Sequence, residues 1–131
     1  QQSQRFFEAP VAASARWHMA ATAAEFKQLL AQAPKGQKII VDVYADWCVA
    51  CQPIEHRILK SATVQQALAP YYLIKLDLSH YDATHQVLLN QWDILGPPTY
   101  LFLDASQQEI RGLRLTGAFT EAELLAQLQR F

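Results

Sequence analysis

The residues from Ile39 to Glu55, IIVDVYADWCVACQPIE, constrain this chain more than any other stretch. Ile39-Ile40-Val41, then Val43 and Tyr44, have the apolar, β-branched composition of a buried central strand, and one carboxylate, Asp42, interrupts it. The strand ends at Ala45-Asp46, and Trp47-Cys48-Val49-Ala50-Cys51 follows. Two cysteines so spaced can close a small ring and alternate between dithiol and disulfide. A helix beginning at Cys48 would set its sulfur against free backbone N–H groups and the positive end of the helix dipole. Both favour the thiolate.

Helical phase arranges what comes next. At about 100° per residue, Cys51, Ile54, Glu55, Ile58 and Leu59 share one arc, with Gln52, His56, Arg57 and Lys60 opposite. Glu55 therefore points inward behind the cysteines, where a carboxylate is costly unless it has a task or a partner. Asp42 arrives from the strand side, so two acidic groups converge on one dithiol. Pro53 falls inside this helix and is expected to kink it, removing the bond to the Val49 carbonyl.

The strand–WCxxC–helix unit resembles thioredoxin, and YADWCVAC resembles the C-terminal thioredoxin-like domain of the bacterial DsbD thiol:disulfide interchange family. The resemblance runs from about Trp17 to Phe131. It implies an α/β thioredoxin fold, a mixed central sheet with helices on both faces. It also implies a protein-disulfide reductase in which Cys48 is the exposed nucleophile and Cys51 the shielded resolving thiol. Asp42 and Glu55 match the two acidic residues flanking the dithiol in that domain, with Lys75 at the neighbouring-strand position where thioredoxins carry a lysine. Pro98 matches the cis-proline that faces the dithiol. Trp47, read from its place beside Cys48, is expected to be a flat exposed flank of the site, with a core position as the alternative. Pro97 departs from the usual aliphatic residue. It lacks an N–H, so the loop should offer a bound peptide a carbonyl without the neighbouring donor.

The same resemblance implies a periplasmic domain of an inner-membrane protein. It would take electrons from a transmembrane domain, pass them to an N-terminal domain of the same parent, and so serve protein thiols and disulfides. No cofactor is implied beyond the Cys48–Cys51 disulfide. The nearest rival is a free-standing thioredoxin-like or cytochrome-maturation thiol reductant. A non-catalytic module holding a metal on its CxxC is more remote. With two cysteines in the whole chain, such a site has no second pair to complete it.

Composition narrows the field further. The 131 residues suit one domain, expected to be monomeric in isolation, and half of them are apolar. A net charge of −1 gives no basic field for nucleic acid. Neither a polybasic segment nor an apolar run of spanning length points to a membrane. The first residue is Gln and no signal peptide follows, the expectation for a processed or excised piece.

Gln1 to Ala15 has no sustained period and is expected to be a linker or tether, with Phe6-Phe7 able to dock on a surface; the domain proper is 16–131. Arg16 to Met19 suggests an edge strand, and Thr22-Ala23-Ala24-Glu25 a capping box opening a helix that ends near Ala33-Pro34. Ser61 to Ala69 reads as a short helix and Tyr71 to Leu76 as a buried strand. Ala83 to Trp92 reads as a helix with Val87, Leu88 and Trp92 inward. Strands through Tyr100 to Leu103 and Glu109 to Thr116 follow, then a helix capped by Thr120 and Glu123. Asp77, His80, Asp82 and His85 have loosely metal-like spacing but read better as a polar loop.

Overall fold

The computed structural model describes residues 15–131; the expected tether, apart from Ala15, lies outside them. Five strands form one sheet: β1 (Trp17–Ala20), β2 (Ile39–Tyr44), β3 (Tyr72–Asp77), β4 (Thr99–Leu103) and β5 (Leu115–Thr116). Their order is β1-β3-β2-β4-β5. Strands β1 and β2 run parallel to β3, while β4 is antiparallel to both β2 and β5. The helices are α1 (Ala23–Gln32), α2 (Cys51–His56), α3 (Ala62–Leu68), α4 (Ala83–Trp92) and α5 (Glu121–Arg130).

Alternation along the strands builds two cores. Val41, Val43, Ile74, Leu76, Leu101 and Leu103 meet Phe26 of α1 and Leu88 and Leu89 of α4 on one side. Ile40, Leu73, Tyr100 and Phe102 meet Ile54 of α2, Val64 and Leu68 of α3, and Leu124 and Leu128 of α5 on the other. The sheet is thus covered on both faces, and β2 runs through its centre, buried from Ile39 to Val43. Among the described residues, no helix is long and apolar enough to cross a membrane.

Four local expectations need correction. Helix α2 begins at Cys51, not Cys48, so Pro53 sits in its first turn, where no intrahelical bond is lost. Val87 faces solvent at 55% exposure; His85, Leu88 and Leu89 are the buried positions of α4, and Trp92 packs partly buried against Phe26 of the same core. The last strand shrinks to Leu115–Thr116, because Arg111–Leu113 forms a 3-10 turn that carries Leu113 into the core beside Leu124 and Leu128. At α1 the Thr22 hydroxyl accepts from the Glu25 N–H, but Glu25 reaches back to the Ala21 N–H, one residue before the cap. The box at Thr120 and Glu123 closes reciprocally.

His85 is buried and structural. Its Nδ1 accepts from the Asp82 N–H at 3.1 Å, which leaves Nε2–H to donate to the Ala21 carbonyl at 2.9 Å, tying α4 to the end of β1. Asp82 caps the same helix, and Asp77 holds Ser79 through both its N–H and its hydroxyl. Among the described residues, no three His, Cys, Asp or Glu side chains converge as a metal site. Replacing His85 with Leu keeps much of the bulk but strands two backbone groups. The expected loss is about 1–3 kcal/mol in urea denaturation with the disulfide kept closed. An unchanged midpoint would mean that these bonds do not hold α4 to β1.

Candidate active site

At the end of β2 the chain enters a tight turn. The Cys48 N–H donates to the Ala45 carbonyl at 3.1 Å, and the Cys51 and Gln52 N–H groups donate to the Cys48 and Val49 carbonyls at 3.2 and 3.1 Å. This brings the Cys48 and Cys51 Cα atoms to 5.3 Å, and the two sulfurs are bonded as a disulfide. Cys48 lies in the turn, yet its sulfur still meets the helix start, because the Cys51 N–H also points at Cys48 Sγ at 3.2 Å. In this disulfide form both cysteines are buried, Cys48 at 6% exposure and Cys51 at 2%, so the expected contrast between them is small.

Side chains fasten the turn at both ends. Gln52 Nε2 donates to the Asp46 and Cys48 carbonyls, each at 3.2 Å. The Asp46 N–H donates to Ser79 Oγ at 2.8 Å, and the Trp47 indole N–H to the Ser79 carbonyl at 3.2 Å. Trp47 is held by its edge and remains 57% exposed. Neither Ser79 nor Gln52 had a signal in the sequence beyond being polar near a turn.

The register Val43↔Thr99 puts the loop before β4 at this same end of the sheet. That loop contains Pro97 and Pro98, joined by a cis peptide bond. The Gly117 N–H donates to the Pro98 carbonyl at 2.9 Å from a left-handed φ of 85°, and Thr99 Oγ1 donates to the Gly96 carbonyl at 2.6 Å. Leu95, in the same loop, is 93% exposed. Trp47, Val49 and Leu95 therefore offer exposed apolar surface at the end of the sheet that carries the disulfide.

Beneath the turn lies a polar row. Register places Lys75 of β3, Asp42 of β2 and Tyr100 of β4 side by side across three adjacent strands, on the face covered by α2. Tyr100 donates its hydroxyl to Asp42 Oδ2 at 3.0 Å, and Lys75 Nζ stands 4.0 Å from the same oxygen. Glu55 enters from α2, one helical turn after Cys51, and bonds Lys75. The Lys75 ammonium also lies over the Trp17 and Tyr44 rings, 5.5 and 5.3 Å from their centroids. An open hollow of about 210 Å³, lined by Trp17, Glu55, Lys60, Gln65 and Lys75, joins this row to solvent.

Burial, and after it the Glu55 carboxylate, push Asp42 well above the ordinary carboxylate range; Lys75 and the Tyr100 hydroxyl pull it back only in part. Burial likewise raises the Tyr100 phenol. The structure thus brings Asp42, Glu55 and Lys75 together, and adds Tyr100. A tyrosine opening the apolar run Tyr100-Leu101-Phe102-Leu103 was the available sign, since a buried hydroxyl requires a partner.

The thioredoxin family model matches residues 18–130. The thiol:disulfide interchange protein DsbD of Yersinia pestis is 39% identical over 105 residues, which is 80% of this chain and 18% of that protein. DsbD 1 of Pseudomonas aeruginosa is 33% identical over 122 residues, 92% of this chain and 21% of that protein. The chain thus spans about a fifth of the length of these curated relatives. The oxidised C-terminal domain of Neisseria meningitidis DsbD superposes with a TM-score of 0.72 at 23% identity, covering 86% of this chain and 98% of that one. At that identity the likeness speaks for the fold alone.

The Asp42 environment has a measurable consequence. The folded chain holds the Asp42 proton more tightly than the unfolded chain does. This group's contribution is therefore intact below about pH 4 and falls as pH rises toward the raised native value. Asp42→Asn keeps an acceptor for Tyr100 and removes the ionisation. It should be more stable than the parent in urea at pH 7.5 and lose that advantage near pH 4. A variant less stable at both values would show that the carboxylate charge is well compensated.

Proposed function

The chain belongs to the thioredoxin family, and from that premise we propose that it relays electrons by dithiol/disulfide exchange from a membrane-embedded domain to a periplasmic partner domain of the same parent protein. In this reading it works in the periplasm as a domain of an inner-membrane protein. The supporting observation is a disulfide closed just after the central strand that carries Asp42, with Glu55 one helical turn beyond Cys51 and Lys75 paired with both carboxylates. The relatives named as thiol:disulfide interchange proteins support exchange as the chemistry.

The chemistry follows from the residues. In the reduced domain Cys48 is the nucleophile: its thiolate attacks a partner disulfide, forming a mixed disulfide and releasing one partner sulfur as a thiolate. Cys51 then passes its proton to the Asp42–Glu55 pair and attacks the Cys48 sulfur. The internal disulfide closes, the second partner sulfur leaves, and two electrons have moved to the partner. Glu55 is one helical turn from Cys51, and Asp42 keeps a proton to higher pH than an ordinary carboxylate, so the pair is a better-matched base for a thiol. The hollow beside Glu55 gives that proton a way out while a partner covers the dithiol. Trp47, Pro97 and Pro98 form the surface along which the partner chain lies.

Two experiments test this. Cys51→Ser in the full-length parent protein should accumulate mixed disulfides through Cys48, whereas Cys48→Ser should trap almost none. Equal trapping by both variants would overturn the assignment of roles, and no trapping by either would overturn the relay. The carboxylates should also oppose ionisation of Cys48. The double variant Asp42→Asn/Glu55→Gln is expected to show a lower Cys48 pKa when thiolate absorbance is followed against pH. An unchanged or higher value would mean that the charges act elsewhere.

A further inference from the structure

We propose that Arg114 is the positioning residue of the partner-binding loop, fixing where residues 94–98 stand relative to the dithiol. This rests on the exchange reading above. The loop leaves α4 at Asp93, whose φ of 57° turns the chain out of the helix. The last carbonyls of a helix have no partner within it. Arg114 takes two of them: Nη2 donates to the Trp92 carbonyl at 2.8 Å and Nη1 to the Asp93 carbonyl at 2.7 Å. The other edge of the guanidinium is clamped by Glu109, Nε to Oε2 at 2.7 Å and Nη2 to Oε1 at 2.6 Å.

Four bonds orient the group on both sides, and the two charged side chains are 9% and 10% exposed. A shielded ion pair is a poor device for stability alone, but it fixes geometry well. Here the fixed object is the Asp93–Ile94 peptide, from which exposed Leu95 and the Pro97–Pro98 bond extend. Arg111 adds a contact to the Asp93 carboxylate at 3.3 Å from the same 3-10 turn. The far end of the loop is held separately, by Gly117 and Thr99. None of the Arg114 bonds reaches the cysteines or the Asp42 row, so docking should respond to this residue and sulfur chemistry should not.

The test compares two substrates in the parent chain and in Arg114→Gln. Insulin must lie along the loop, whereas oxidised glutathione needs little of it. The expected result is a KM for insulin raised about five- to tenfold, the loss of one or more charge-assisted hydrogen bonds. The kcat for insulin, the glutathione disulfide rate and the reduction potential of the pair should stay within about twofold. Backbone amide exchange at Leu95 and Gly96 should quicken while β2 and β3 stay protected. An unchanged insulin KM, or equal slowing with both substrates, overturns the proposal. If the parent reduces neither substrate, the exchange reading fails, and amide exchange still decides the brace. Should Arg114→Gln not fold, Glu109→Gln frees one edge of the guanidinium and should raise the insulin KM about two- to threefold; no change there also overturns it.

Discussion

A carboxylate in the middle of the sheet governs the rest of this molecule. Asp42 sits on the central strand with strands on both sides and α2 above, cut off from water. A group so placed needs a hydrogen-bond donor, a counter-charge or a proton. Tyr100 supplies the first from one neighbouring strand and Lys75 the second from the other, while Glu55 competes for the same ammonium. One cation between two carboxylates is too little to neutralise both. Burial first, and that surplus after it, keep a proton on Asp42 beyond the usual range, and so keep an acid–base group on the strand that leads to the two sulfurs.

The turn that carries those sulfurs is short of regular structure, and its order comes from outside it. Ser79, in the segment after β3, accepts the Asp46 N–H and the Trp47 indole; Gln52 spans the turn from the helix side. Because Ser79 is itself held by Asp77, at the end of a strand adjacent to β2, the disulfide rests on two strands rather than one. Exposed Trp47 is fixed in direction although its ring faces solvent. A partner therefore meets a surface that is largely arranged before contact, which lowers the ordering cost of association.

Much of this could be read in the residues alone. The Ile39–Tyr44 strand was legible because a β-branched run followed by turn residues has few other solutions, and Glu55 was placed inward by phase alone. Asp42 with Lys75 was legible through resemblance. What escaped were features set by packing between distant segments. The 3-10 turn at Arg111–Leu113 carries Leu113 into the core beside Leu124 and Leu128, contacts that lie outside the segment itself. The inward histidine of α4 has the look of a polar-loop residue in the sequence, because its two bonds go to backbone groups that sequence does not display. Tyr100 is legible as a strand residue but not as a donor, since its partner lies 58 positions away.

The polar row also acts on the structures this chain must avoid. Lys75, Asp42 and Tyr100 meet only in one alignment of three strands. A slip of one residue in β2 would turn every side chain of that strand to the opposite face. Asp42 would then lie among Phe26, Leu88 and Leu89 with no donor and no cation, and Lys75 would be left facing an aliphatic side chain. An all-apolar β2 would tolerate such a slip far better. The residues that handle protons at the site thus also penalise the wrong alignment, and a chain that misaligns them is marked for further rearrangement by its own buried charge.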